Sequence, residues 1–541
     1  MTAADRAFYN GRIYTMDADR PRAQAVALVG DRIVHLGDDQ QVLSLLRNGG
    51  QAIDLNGRTV IPGLIDAHVH FGWHSLALYQ KRVDLDNVPS KAEAVARVAE
   101  AAAAKPAGTW IQGSGWNKNL WPGGAFPTVA DLDASLPDHP VALEDKSHHA
   151  TWVNSRALAL AGITASSEDP PGGQIVRDAR GRPSGMLLET AAELVDRVIP
   201  EVDVATMVPA LEQGIGQAHR LGLTGVHDPG HATVLAAFQV LHARGALKLR
   251  VLTHIPGDDL EAAIALGLRS GFGDETLRIG GVKIFADGAL GPQTAHMLAP
   301  YEGSDHNLGI PTHTAGELAE MVRRARAAGL SVAVHAIGDA ANRAVLDAIE
   351  ANAAPGDQST NPPIDQSAKP PNRIEHVQLL HPDDVPRLAA LGVVASMQPI
   401  HATSDMEMAD HHWGRRCALA YAWRSLLDSG ATLAFGSDCP VEMLDPLPGI
   451  HAAVTRRRAN GQPGPEGWIP AQRLSVAEAV GAYTLGAAEA SGEAHLKGSL
   501  APGKLADMVV LSRDIFQGEP DEILDTGVEM TVLGGQIVYG G

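Results

Sequence analysis

The stretch Ile61-Pro62-Gly63-Leu64-Ile65-Asp66-Ala67-His68-Val69-His70 decides the reading of this chain. An apolar run ends in two histidines two positions apart, and residues so spaced on a strand point to one face. Outward from it, the apolar run Arg58–Ile65 is followed by seven more: Gly225–His227, Leu249–Ile255, Gly281–Phe285, Ser331–His335, Arg373–Val377, Val393–Met397 and Thr432–Gly436. Helical patterns lie between several of them. Thr314-Ala315-Gly316-Glu317 is a capping box opening a helix that Gly329 stops, and Ser475-Val476-Ala477-Glu478 opens another. Eight strands alternating with helices predict an α/β chain built on a (βα)8 barrel over residues 61–499. Such barrels place their chemistry at the C-terminal ends of the strands.

Both ends of the chain read as strands and turns. Phe8-Tyr9 leads through Asn10-Gly11, a tight hairpin signal, to Arg12–Met16. Ala25–Val29 and Arg32–Leu36 flank Gly30-Asp31, and near the C-terminus Met530–Leu533 and Gln536–Tyr539 flank Gly534-Gly535. An isolated hairpin is marginal in water, so residues 1–60 and 500–541 are expected to form one composite β-sandwich domain. Residues 80–220 read as a large insertion after the first barrel strand, a lid or substrate wall with a helix capped by Ser90 and Glu93. Pro355 to Pro371 reads as a surface loop.

Composition narrows the function classes. The 541 residues carry a formal charge of −20, which disfavours nucleic-acid partners. No run of apolar residues is long enough for a membrane span. The opening MTAADRAFYNGRIYTMD lacks a signal-peptide pattern, so a cytoplasmic protein is expected. Two cysteines, Cys417 and Cys439, provide neither a disulfide framework nor a four-thiolate site. Histidine is abundant instead: 23 residues, as many as Phe, Trp and Tyr together.

Those histidines recur where a barrel needs them. His68 and His70 close the first strand, His335 and His376 close later ones, Lys283 lies near the end of another, and Asp438 follows Gly436-Ser437. Two imidazoles on one strand face can hold a metal ion, and zinc suits mixed imidazole and carboxylate ligands, with manganese, iron or nickel as alternatives. Against this stands the plainer reading of His335 and His376 as neutral core histidines. His227, His254, Asp287 and Gln398 lie at or just past strand ends, where they would face substrate. Trp116 and His149 belong to the insertion, as pocket wall or as ordinary packing. His401, His411 and His412 fall in the loop after the seventh strand, as substrate contacts or as solvated residues. Tyr301, Arg415 and Arg416 are further candidates, and Cys439 reads as a small buried hydrophobe.

The Pro-Gly-Leu-Ile-Asp-Ala-His-Val-His motif, His335, His376 and Gly436-Ser437-Asp438 resemble the amidohydrolase superfamily of metal-dependent hydrolases. Gly115-Trp116-Asn117, His149–Ser155, Lys283–Leu290 and Gly503-Lys504-Leu505-Ala506-Asp507 are similar to its amidohydrolase-3 branch, which includes YtcJ-like proteins and N-substituted formamide deformylases. The likeness runs from about residue 7 to residue 540 and implies one divalent ion on His68, His70 and Asp438. It implies a second on His335 and His376, bridged by Lys283 as N6-carboxylysine; a lysine paired with Asp287 would leave a single ion. The implied reaction is hydrolysis of an amide C–N bond, an N-substituted formamide among the candidates, by metal-bound hydroxide, with Asp438 as catalytic acid and base; the large insertion and its tryptophans suggest an apolar group on the amine side. Alternatives are an ester, lactone or cyclic amide, hydrolytic deamination of a free base, or a metal-free binding or regulatory protein on the same barrel. The expected partners are a small-molecule substrate and a second copy in a homodimer.

Overall fold

The computed structural model describes residues 3–146, 150–170, 172–352 and 369–541. It divides into two compact units, Met1–His74 with Leu211–Gly541, and Ser75–Ala210. Most of the Pro355–Pro371 segment lies outside the described residues.

The first unit contains eight parallel strands that pair in chain order: β1 (Leu64–Asp66), β2 (Leu223–Asp228), β3 (Arg250–Pro256), β4 (Leu277–Phe285), β5 (Val332–Ala336), β6 (Arg373–His376), β7 (Val394–Met397) and β8 (Leu433–Phe435). These are the strands expected from the apolar runs. The seam between β8 and β1 is bridged by single backbone bonds, Ala67 N–H to the Phe435 carbonyl at 3.0 Å and Asp438 N–H to the His68 carbonyl at 2.7 Å. The approach is tight enough that a Cβ on Gly436 would stand 2.4 Å from the His68 nitrogen, so only glycine fits there. Thr314 and Ser475 form their capping boxes as expected.

The run Arg58–Ile65 is not one strand. Thr59–Pro62 pairs with Met508–Leu511 and Arg12–Tyr14, whereas Leu64–Asp66 enters the barrel. The break falls at Gly63, where a side chain would collide with Thr224. Strands from both ends of the chain therefore share a six-stranded sheet, ordered from Gln536–Gly540 through Val528–Leu533, Met508–Leu511, Thr59–Pro62 and Arg12–Tyr14 to Arg22–Ala23. A four-stranded sheet of Ala4–Tyr9, Ala25–Val29, Arg32–Gly37 and Leu46–Asp54 packs on it through an apolar layer that includes Phe8, Val26, Val60, Met508 and Val532.

The Asn10-Gly11 hairpin does not form. Ala4–Tyr9 and Arg12–Tyr14 belong to different sheets, and the turn carries the chain between them. Asn10 takes the left-handed conformation the motif favours, at φ 57°. Its neighbours bond to distant partners, Gly11 N–H to the Gln24 carbonyl and Arg12 N–H to the Arg58 carbonyl, so sheet pairing overrides the local signal. The Gly30-Asp31 and Gly534-Gly535 hairpins do form.

The second unit is a domain with its own six-stranded sheet of Val83–Asp84, Ile111–Trp116, Val141–Asp145, Ala150–Val153, Pro183–Glu189 and Gly173–Arg177. Ser90 caps the helix Lys91–Ala103 by accepting from Glu93 N–H. Trp116, Trp121 and Trp152 pack on one another in its core, with ring centroids 5.6–6.3 Å apart. Such aromatic pairs contribute about 0.5–1.5 kcal/mol each beyond their buried area.

Candidate active site

His68 and His70 follow β1, Lys283 lies in β4, His335 in β5, His376 ends β6 and Asp438 follows β8. The barrel brings them to one rim. Ring centroids are 5.7 Å apart for His68 and His70, 5.1 Å for His68 and His376, and 4.5 Å for His335 and His376. One ligand atom each from His68, His376 and Asp438 falls within 4.8 Å of the others, spanning the two ligand groups that the resemblance separates. His376 and Asp438 adopt left-handed φ values of 75° and 58°, an unfavourable conformation for residues with a Cβ and one held by the surrounding structure.

Hydrogen bonds fix which nitrogen each imidazole presents. His68 Nδ1 is 2.7 Å from Glu375 Oε2. A carboxylate only accepts, so Nδ1 carries the proton and the neutral ring turns its Nε2 lone pair toward Asp438 Oδ1, 3.4 Å away. His70 Nε2 is also 3.4 Å from that oxygen, which is buried and satisfied by no hydrogen-bond donor among the described residues. His376 Nδ1 donates to Gln398 Oε1 at 2.9 Å, leaving Nε2 free. His335 Nε2 donates to the Gly288 carbonyl at 2.9 Å, leaving Nδ1 free. Lone pairs of imidazole and carboxylate thus converge on one buried spot, which calls for a cation. Burial opposes charge on His68, yet Glu375 and Asp438 outweigh it and raise its pKa.

The Asp438 carboxylate is buried, which favours its neutral form, but His401, His68 and His70 hold its pKa well below the ordinary range. Lys283 is buried, and burial pulls its ammonium down to about 8 against the opposing pull of Glu375 and Asp438. Its Nζ lies 4.8 Å from the Phe285 ring centroid. It forms no ion pair with Asp287, whose oxygens are taken up by the backbone N–H groups of His296, Ile337 and Gly338 at 2.8–3.0 Å. Asp287 thus ties the loop after β4 to the end of β5, and burial raises its pKa to about 7.

The remaining expectations divide. Gln398 reaches the site through His376, with its Nε2 unpartnered. His227 is buried in the barrel interior, its Nδ1 accepting from Arg373 at 2.9 Å. His254 accepts from Gly281 N–H, and burial lowers its pKa to about 3. Trp116 is not a pocket wall: it is fully buried in the core of the second unit and donates to the Leu143 carbonyl. With Trp121 and Trp152 beside it, the insertion's tryptophans give no support for an apolar amine substituent. His149 lies outside the described residues. His401 is in no solvated loop but buried on the helix Pro399–Trp413, with Nε2 3.2 Å from Asp438 Oδ2. Tyr301 donates to the Ala295 carbonyl, and Arg416 donates to those of Ala299 and Pro300. Cys439 is buried, with Sγ 3.1 Å from His74 Nδ1.

Three residues stand out beyond the expected set. Asp66 accepts from the backbone N–H groups of His68 and Ser437 and from the Ser437 hydroxyl, clamping the His-x-His segment to the Gly-Ser-Asp segment. Glu375 backs His68, and Arg373 pairs with Glu375 at 2.5 Å, all buried. Opposite charges two apart on an apolar strand are the sequence signal for that inward-facing pair.

An eight-stranded parallel barrel with convergent imidazole and carboxylate lone pairs at its C-terminal rim defines a metal-dependent hydrolase. The comparisons with known proteins agree. The profile of the amidohydrolase family, in its amidohydrolase-3 branch, matches residues 51–539, and the chain belongs to that family. It is 34% identical to a protein named putative amidohydrolase YtcJ from Bacillus subtilis, over 98% of this chain and 99% of that one. It is 30% identical to an N-substituted formamide deformylase from Arthrobacter pascens, over 99% and 98%. Among solved structures, an uncharacterized metal-dependent hydrolase from Pyrococcus horikoshii superposes with a TM-score of 0.79 at 28% identity, covering 95% of this chain and 99% of that one. No helix among the described residues is long and apolar enough to cross a membrane.

Proposed function

We propose that the protein hydrolyses the C–N bond of a small amide, with an N-substituted formamide as the leading substrate class. The observation that carries the metal-dependent chemistry is the buried Asp438 Oδ1, which faces the Nε2 atoms of His68 and His70 at 3.4 Å with no donor between them. The donor set fits a divalent ion, zinc first among the candidates. His68, His70 and Asp438 would hold one ion, and His335 and His376 a second. Lys283 would join them as a carbamate: CO2 adds to the neutral amine, the Nζ–C bond forms, a proton leaves the nitrogen, and the product is an anion with two ligand oxygens. Burial lowers the ammonium pKa, so more of the neutral amine is present near neutral pH. An ion bound there supplies Lewis acidity to a carbonyl oxygen and lowers the pKa of water.

The chain's own groups handle the protons. Asp438 Oδ2, steadied by His401 Nε2, is the oxygen left to take a proton from the attacking water and return it to the leaving nitrogen. One relative at 30% identity is named a deformylase, which supports formamides ahead of other amides. The test is elemental analysis of the purified protein, followed by turnover of N-substituted formamides, longer-chain amides and lactones. Turnover of formamides that stops on chelation and returns with zinc is the expected result. Formamides left intact while another group turns over would reassign the substrate, and metal-independent turnover would defeat the reading.

A further inference from the structure

The candidate ligand histidines differ in what stands behind them. His68 donates to the Glu375 carboxylate at 2.7 Å, His376 to the Gln398 amide oxygen at 2.9 Å, and His335 to the Gly288 backbone carbonyl at 2.9 Å. Only the first acceptor carries a charge. An imidazole whose N–H is bonded to an anion has more electron density on its other nitrogen, and is both a stronger donor and a more rigid one. Glu375 is held in turn by Arg373, whose Nη2 donates to Oε2 at 3.1 Å. Arg373 Nε lies 2.5 Å from Oε1, and the same guanidinium bonds to the Ser396 hydroxyl and to the carbonyl of Ala67, the residue before His68. Side-chain exposure of the Arg373–Glu375 pair is 1% on each side, so water does not screen it.

We propose that Glu375, held by Arg373, is a positioning residue that makes the cation bound through His68 the tighter of the two. The inference rests on the metal-site reading above and adds an order of affinity to it. Carboxylate backing strengthens the His68 end, whereas neutral backing leaves the His335 and His376 end weaker. Chelation therefore empties the weaker end first.

The test is a zinc titration of the stripped full-length protein in competition with a chromophoric chelator. Two steps are expected for the wild type, the tight one lost in His70→Ala and kept in His335→Ala. Glu375→Gln should weaken the tight step by about 10–100-fold and leave the weak step in place. Because that variant strands the Arg373 charge, Arg373→Met/Glu375→Gln gives the same readout with no buried charge, and circular dichroism checks its fold. A folded variant with an unchanged tight step, or with equal losses at both steps, overturns the proposal. So does a tight step that survives His70→Ala. A wild-type protein that binds no zinc defeats the metal reading itself.

Discussion

His401 Nε2 stands 3.2 Å from Asp438 Oδ2, while Oδ1 of the same carboxylate faces His68 and His70 at 3.4 Å. Both oxygens are therefore oriented by imidazoles, one from the helix after β7 and two from the segment after β1. On the far side of His401, Nδ1 is 3.7 Å from Glu442, and together the two carboxylates raise the His401 pKa to about 10, against the opposing effect of burial. His401 is thus a charged donor near neutral pH and fixes the rotamer of the proposed catalytic base.

The first prediction follows from that contact. His401→Ala should lower kcat by about 10–100-fold, the usual cost of losing a group that orients an active residue, while bound zinc stays close to the wild-type amount. Steady-state kinetics beside elemental analysis would check this. Wild-type kcat in the variant would show the contact to be incidental.

His68→Ala and His70→Ala should each lower metal content and abolish turnover while the fold survives. Neither side chain belongs to the packing that closes the barrel: the seam is held by backbone bonds and by Asp66. Far-UV circular dichroism and zinc content give the two readouts, and full activity in either variant would refute the ligand assignment.

The pH dependence of stability should carry the mark of His254. Burial lowers its pKa from 6.5 to about 3, so between those values the unfolded chain binds a proton that the folded chain does not. Its contribution to stability is complete above about pH 6.5 and is lost as the pH falls toward 3, at up to about 1.4 kcal/mol per pH unit. His254→Gln should flatten the fall by about that slope between pH 4.5 and 6, measured by urea denaturation. An unchanged slope would mean that the buried ring is not the neutral group inferred here.

The eight strands and their ligand-type ends are legible in the sequence because most of the strands are predominantly apolar, as strands buried on both faces tend to be, and polar residues cluster at their ends. What escapes a linear reading depends on pairing at a distance. Glu375 lies within the visible Arg373-Ile374-Glu375-His376 strand, yet its role comes from contact with His68, 307 residues away. His401 falls where an apolar pattern is weak, and only the helix that turns it inward separates it from the more exposed His411 and His412. Trp116 misleads in the opposite sense: a Gly-rich aromatic stretch resembles a binding loop, but its ring is core to a separate sheet. Asn10-Gly11 has the chemistry of a hairpin turn and is used instead to change sheets.

The last prediction concerns Lys283. Its side chain is buried and forms no ion pair among the described residues; Glu375 and Asp438 attract the ammonium from a distance, but burial outweighs them and lowers its pKa. Carboxylation converts that repulsive cation into an anion able to join two metal ions. Lys283→Ala should therefore lose the second ion, with a drop in the zinc-to-protein ratio. A short carboxylic acid with excess zinc should restore part of the activity by occupying the vacated space. Lys283→Arg should not be rescued, because a guanidinium keeps its charge at neutral pH and cannot become a ligand. Acidic mass spectrometry is unsuited to the test, since the carbamate decomposes in acid. Crystallographic density beyond Nζ, with metal peaks on either side, is the direct observation. A bare ammonium with a single metal peak would reduce the site to one ion.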